Sequence, residues 1–136
     1  MPSSAEHQAK YIENREFLDA NGGLATIQPV WASVVAFYAA VHLVERLAAR
    51  QNIHHDNHGE RKGYLIRHRL HRVIYPEYHA LRTVSEIARY GTQNRFRLAV
   101  LGNDVQTILI DTHLVAIETY VLSVFAPPGG PTAAGS

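Results

Sequence analysis

Apolar residues crowd the stretch from Trp31 to Val44, where WASVVAFYAAVHLV leaves a helix greasy on nearly every side. A helix of that kind sits in the middle of a bundle rather than on its surface. Pro29 suits its first turn, because the N–H that proline lacks would find no partner there. The pattern carries this second helix to about Gln51. Tyr38 and His42 lie one turn apart within it, and Glu45 follows a turn later. Polar groups in such surroundings cost about 1–3 kcal/mol each unless they are hydrogen-bonded, so these residues require partners.

The flanking patterns predict four more helices. The first opens at Ser3 with Glu6 completing a capping box. It points Ala9, Ile12, Phe17 and Leu18 inward and stops at Asn21-Gly22-Gly23, where glycine supplies a left-handed cap. Leu24 to Gln28 reads as a short connection. After the polar turn His54-His55-Asp56-Asn57, a second box of Asn57 with Glu60 predicts a half-exposed basic helix from His58 to about Val73, with Tyr64, Leu65, Ile66, Leu70 and Val73 as its apolar positions. Pro76 starts the fourth, which presents Tyr78, Leu81, Val84, Ser85 and Ala88 inward and ends at Tyr90-Gly91.

Thr92 to Gly102 reads as loop or as early turns of the last helix. RFRLAV alternates weakly, but a lone strand has nothing to pair with. Asn103 with Gln106 offers a third cap. Val105 to Phe125 carries two apolar rows at the helical period, one through Val105, Ile108, Leu109, Thr112 and Val115, the other through Ile110, Leu114, Ile117 and Val121. A helix with two apolar faces is central or shared with a second subunit, and this predicts a homodimer. The expected architecture is an all-α, antiparallel four- to five-helix bundle over residues 1–125, followed by a disordered Pro/Gly/Ala-rich tail at 126–136.

Composition narrows the setting. A chain of 136 residues buries a proper core without staples, and with no cysteine it has neither a disulfide framework nor a thiolate metal site. MPSSAEHQAKYIENREF has no apolar signal region, and the Trp31–Val44 run falls short of the roughly 20 residues of a membrane span. A cytoplasmic protein without a membrane segment is the expectation. From Arg50 to Arg97 there are ten Arg or Lys residues against four acidic ones, while the remainder carries three against eight. Such segregation suggests an anionic partner for one face, or the acidic face of a second subunit.

The candidate chemistry lies where the second and third helices meet. His58 and Arg61, three apart on a first helical turn, share a face. The helix dipole disfavours cations there, so they call for a carboxylate or an anionic ligand, and the N–H groups of the same turn also suit phosphate. Glu45 is the candidate carboxylate, in a Glu45–Arg61 clamp between the helices. His54, His55 and His58 invite a metal reading. They lack a carboxylate or Cys companion at ligand spacing, so no metal or cofactor is expected.

One combination of motifs carries a resemblance. Phe37-Tyr38-Ala39-Ala40 with His42 stands on a long helix, His58 and Arg61 open the next, and Ser85, Ala88, Arg89 and Tyr90 close the following one. In order and spacing this resembles the HEPN family, over about residues 5 to 125. The resemblance implies a helical bundle that commonly dimerises. Many members are metal-independent endoribonucleases of toxin–antitoxin or phage-defence systems. Others are non-catalytic and bind nucleotide, RNA or a partner, often a nucleotidyltransferase. The active members' signature, an arginine followed after four to six residues by histidine, occurs here as Arg50/His55, Arg61/His68 and Arg72/His79, about as often as chance alone gives, and none carries the usual Asn after the arginine. On this reading His58 or His68 serves as acid or base and Arg61 as phosphate clamp, with Tyr38, His42, Glu45, Arg89 and Tyr90 as the supporting shell.

Overall fold

The computed structural model describes residues 2–90 and 104–126, apart from the side chains of Asn21 and Tyr90. The expectations for 92–102, for a cap at Asn103 and for most of the tail lie outside them. The described residues form an all-α bundle without strands, as the hydrophobic pattern predicts. Its principal helices are α1 (Ser4–Asp19), α2 (Pro29–Ala49), α3 (His58–Arg67), α4 (Tyr75–Tyr90) and α5 (Val105–Leu114 continued by Val115–Phe125). Single helical turns at Leu24–Ile27 and His71–Ile74 join them.

Helix α2 is the axis. Fourteen of its 21 residues are buried, and α1, α4 and α5 all pack on it. Both α2 and Val105–Phe125 are long and apolar enough to cross a bilayer by length and composition, so the shortness of the Trp31–Val44 run does not by itself exclude a span. Burial distinguishes them: 78% of the most apolar window of α2 is enclosed by the bundle, against 28% of that of α5.

Local structure departs from expectation in each of α1, α3 and α5, for physical reasons. The Ser3 box forms in full, but α1 turns its polar side inward: His7 and Leu18 are buried, while Ile12 and Phe17 are 43% and 48% exposed and Ala9 is exposed. Hydrogen bonds compensate for that polar face, since the Tyr11 hydroxyl donates to Glu118 and Arg15 Nε lies 3.1 Å from the same carboxylate. Gly22 and Gly23 do adopt positive φ (81° and 108°), one 3-10 turn later than a cap on α1 would place them.

Helix α3 ends at Arg67 rather than Val73 because His68 Nδ1 accepts the backbone N–H groups of Leu70 and His71, both at 3.1 Å. The imidazole thereby acts as the cap of the next turn, which buries His71 and Ile74 and leaves Ile66, Leu70 and Val73 exposed. At its start, Asn57 Oδ1 accepts from Glu60 N at 2.9 Å, but the Glu60 carboxylate returns to the N–H of Asp56.

The first half of α5 is wound as a π-helix. With i→i+5 bonding, residues five apart come into register. Val105 with Ile110, and Leu109 with Leu114, therefore form one buried face that continues in α spacing through Ile117 and Val121. The same register aligns Gln106 Nε2 with Asp111 (2.8 Å) and Thr112 Oγ1 with the Thr107 carbonyl (2.8 Å). The two apolar rows expected at the α period merge into a single core face, and Ile108 and Thr112 stay exposed.

Candidate functional site

Glu45 anchors the site. It is only 2% exposed, and its Oε2 accepts from Arg61 Nε at 2.9 Å and His55 Nδ1 at 2.7 Å, while Oε1 accepts from the His55 backbone N–H at 3.1 Å. Burial alone would raise its pKa, but the two hydrogen bonds from His55, the positive charge and the Arg61 bond outweigh it and hold the carboxyl below its ordinary value. An ionised carboxylate only accepts, so His55 carries its proton on Nδ1. Arg61, itself 9% exposed, loses from desolvation. Its bonds to Tyr78 and Glu45 more than restore the balance, and its pKa is raised.

The chain of bonds continues outward. Arg61 can only donate, so its Nη1 gives a proton to the Tyr78 oxygen at 3.3 Å. The Tyr78 hydroxyl is buried and Arg61 cannot accept its proton. Among its described contacts the acceptor is therefore His58 Nδ1, 3.0 Å away beneath a stacked ring contact of 5.7 Å. Burial first, and then Arg82 and Arg61, push the His58 pKa down. A neutral imidazole that accepts at Nδ1 holds its proton on Nε2, so His58 offers a donor.

His58 and Arg61 line a cleft of about 390 Å³ together with Tyr38, Arg82 and Arg89. Asp56 and Glu86 line it too, and Arg82 Nη1 pairs with Glu86 at 2.5 Å. In the same cleft Arg89 Nη1 donates to the Tyr38 hydroxyl at 3.0 Å, with its guanidinium 5.7 Å from the ring centre. Tyr38 is also a wall of a second groove of about 360 Å³, shared with Phe17, Trp31 and His42. Tyr38, Phe17 and Trp31 are 40%, 48% and 51% exposed.

The sequence-nominated residues therefore divide. Tyr38, His58, Arg61 and Arg89 come together at one cleft, with Glu45 behind it. His42 turns into the neighbouring groove, where its Nδ1 lies 3.1 Å from His7 Nδ1. Burial lowers the pKa of both rings, and His7 further lowers that of His42. His68 is placed elsewhere, stacked on His71 at 3.7 Å and lining a different hollow, of about 580 Å³, with Tyr64, His54 and Arg67.

None of the three arginine–histidine spacings forms a contact at the cleft. Arg50 is drawn to the Val124 carbonyl (2.9 Å), and His79 pairs with Tyr75. The trio His54, His55 and His58 does not converge either, for His55 is bound to Glu45 and His58 to Tyr78. Tyr90's side chain is not among those described. Sequence reasoning missed His7, Arg82, Trp31 and the hydroxyl of Tyr78. The signal for the last was its position seven residues before Ser85 on the inward face of α4, read only as packing.

Compared with protein-family models, with curated proteins and with solved structures, the chain gives no match.

Proposed function

We propose that this is an RNA-directed, HEPN-like bundle that binds single-stranded RNA, or a nucleotide end of it, without cutting the strand. The observation that carries the reading is Tyr38, whose ring is common to an arginine-lined cleft and to a groove with exposed Trp31 and Phe17. Phosphates suit the guanidinium groups of Arg82 and Arg89, with Arg61 as a fixed charge behind them, and unstacked bases suit aromatic faces. Neutral His58, with its proton on Nε2, can donate to a phosphate oxygen, which suits it to binding. The homodimer remains part of the proposal and fits the exposed Ile108 and Leu122 of α5. A nucleotidyltransferase partner follows from the family resemblance alone.

The chain has a single tryptophan, so Trp31 reports directly. Titration with an unstructured RNA of roughly 12 nucleotides is expected to quench its fluorescence, with affinity falling as salt rises. Tyr38→Ala should weaken binding about 5- to 150-fold, as expected for a lost stacking platform worth about 1–3 kcal/mol. Arg82→Ala should reduce the slope of log K against log salt by about one. Absence of quenching at low salt refutes the proposal. Strand cleavage that disappears in His58→Ala restores the endoribonuclease reading in its place.

A further inference from the structure

Behind the cleft, three side chains from three parts of the chain converge. One donor atom from each of His7, Glu45 and His54 lies within 4.8 Å of the other two. We propose that they form a binding site for a borderline divalent metal ion of the zinc class, with water completing the coordination. The inference does not rest on the RNA reading.

Outer contacts hold each ligand, as they do in metal sites. His7 Nδ1 is engaged by His42 at 3.1 Å, which leaves Nε2 to ligate. His54 Nε2 lies 3.3 Å from Asp56 Oδ1, and its Nδ1 stands 3.8 Å from Glu45 Oε1. Glu45 is gripped at Oε2 by Arg61 and His55. Helix α1 supplies the first ligand, α2 the second and the turn after α2 the third. His7 and Glu45 are buried at 6% and 2% exposure, and the His54 side chain, 34% exposed, gives the ion a way in.

The donor set selects the ion. Two imidazoles with one carboxylate suit Zn²⁺, Co²⁺ or Ni²⁺, whereas Mg²⁺ and Ca²⁺ prefer all-oxygen shells. Three protein ligands leave the fourth tetrahedral position to water, the composition of open rather than closed zinc sites. Metal–ligand bonds of about 2.0–2.2 Å place tetrahedral donors roughly 3.4 Å apart, so donors as far as 4.8 Å apart must close by up to about 1.4 Å. The His54–Glu45 side of the site, at 3.8 Å, needs to close by only about 0.4 Å.

The test uses the full chain stripped with chelator, titrated with Co²⁺ by visible absorption and with Zn²⁺ by calorimetry. One ion per chain, a tetrahedral Co²⁺ spectrum and a melting temperature raised by saturating Zn²⁺ are expected. His54→Ala, at an exposed position, should stay folded and bind at least about tenfold more weakly. His7→Gln should abolish the Co²⁺ spectrum, and His79→Ala, an exposed histidine on α4, should leave binding unchanged. No saturable binding by roughly 100 μM Zn²⁺ overturns the proposal, since micromolar affinity is the least such a site should give. So does an affinity that neither His54→Ala nor His7→Gln alters.

Discussion

Histidine, tyrosine and arginine gather at both ends of α3, but the two ends handle charge differently. At the start of the helix, Glu45 takes bonds from Arg61 and His55, and Tyr78 links Arg61 to His58. Beyond its end, His68 stacks on His71, whose Nδ1 lies 2.6 Å from the Tyr120 hydroxyl, with no carboxylate among the described contacts. The guanidinium at the first end stays charged inside the bundle. The imidazole at the second is pushed down to about 4 by burial, helped by His68 and Arg50. Arg61 and His71 are about equally covered at 9% and 7% exposure, but a guanidinium keeps its proton where an imidazole readily loses one, and Arg61 also has Tyr78 and Glu45 to receive its bonds.

The sharpest way to break that contrast is Glu45→Gln. The amide fills the same space but leaves Arg61 enclosed without a counter-charge, a change that costs about 3–5 kcal/mol when a buried pair is broken from one side. Urea denaturation should show that loss. The double variant Glu45→Gln/Arg61→Met should regain most of it, because an apolar replacement for both partners is often neutral. A single-variant loss below about 1 kcal/mol would mean that solvent or Tyr78, rather than the carboxylate, offsets the burial of the Arg61 charge.

Acidification probes the other end. His71 has a native pKa of about 4, so between there and the ordinary value near 6.5 the unfolded chain binds a proton that the folded chain refuses. Its contribution is therefore complete above about pH 6.5 and is lost progressively as pH falls toward 4. The neighbours that face it, His68, Arg50, Tyr64 and Tyr120, include no acid to reverse the sign. Stability measured from pH 7 to 4 should decline, and His71→Gln, which keeps an acceptor for Tyr120, should make the decline shallower. An unchanged slope in that variant would assign the loss to His7, His42 and His58, whose pKa values are also lowered.

How much of this was legible in the sequence depends on which physics governs each residue. Helix α2 could be read because its apolar residues surround it, and Ser3 with Glu6 because a capping box is local. The inward face of α1 could not: His7, Tyr11 and Arg15 look like surface residues until α2 and α5 provide their partners. The end of α3 was missed because histidine is not among the usual capping residues, yet His68 does that work. The π register of α5 was hidden because hydrophobic spacing was counted at the α period. At the site, short spacing brought out His58 and Arg61, whereas Tyr78 and Arg82 are known to belong only once α4 lies against α3.

The smallest effect separates the two tyrosines that accept from arginine. Tyr78 is wholly buried and Tyr38 is 40% exposed. Removing the hydroxyl of Tyr78 strands a donor of Arg61 in the core, worth about 1–3 kcal/mol. Tyr38→Phe strands nothing, because water replaces the hydroxyl beside Arg89, and surface changes of this sort stay within about 0.5 kcal/mol. The ring survives, so its contact with the Arg89 guanidinium and its share of both grooves survive too. Tyr38→Phe is therefore expected to leave the melting temperature and RNA-dependent quenching of Trp31 close to those of the parent chain. A large loss of quenching in this variant, with stability intact, would transfer the role given to the Tyr38 ring to its hydroxyl and to the arginine it orients.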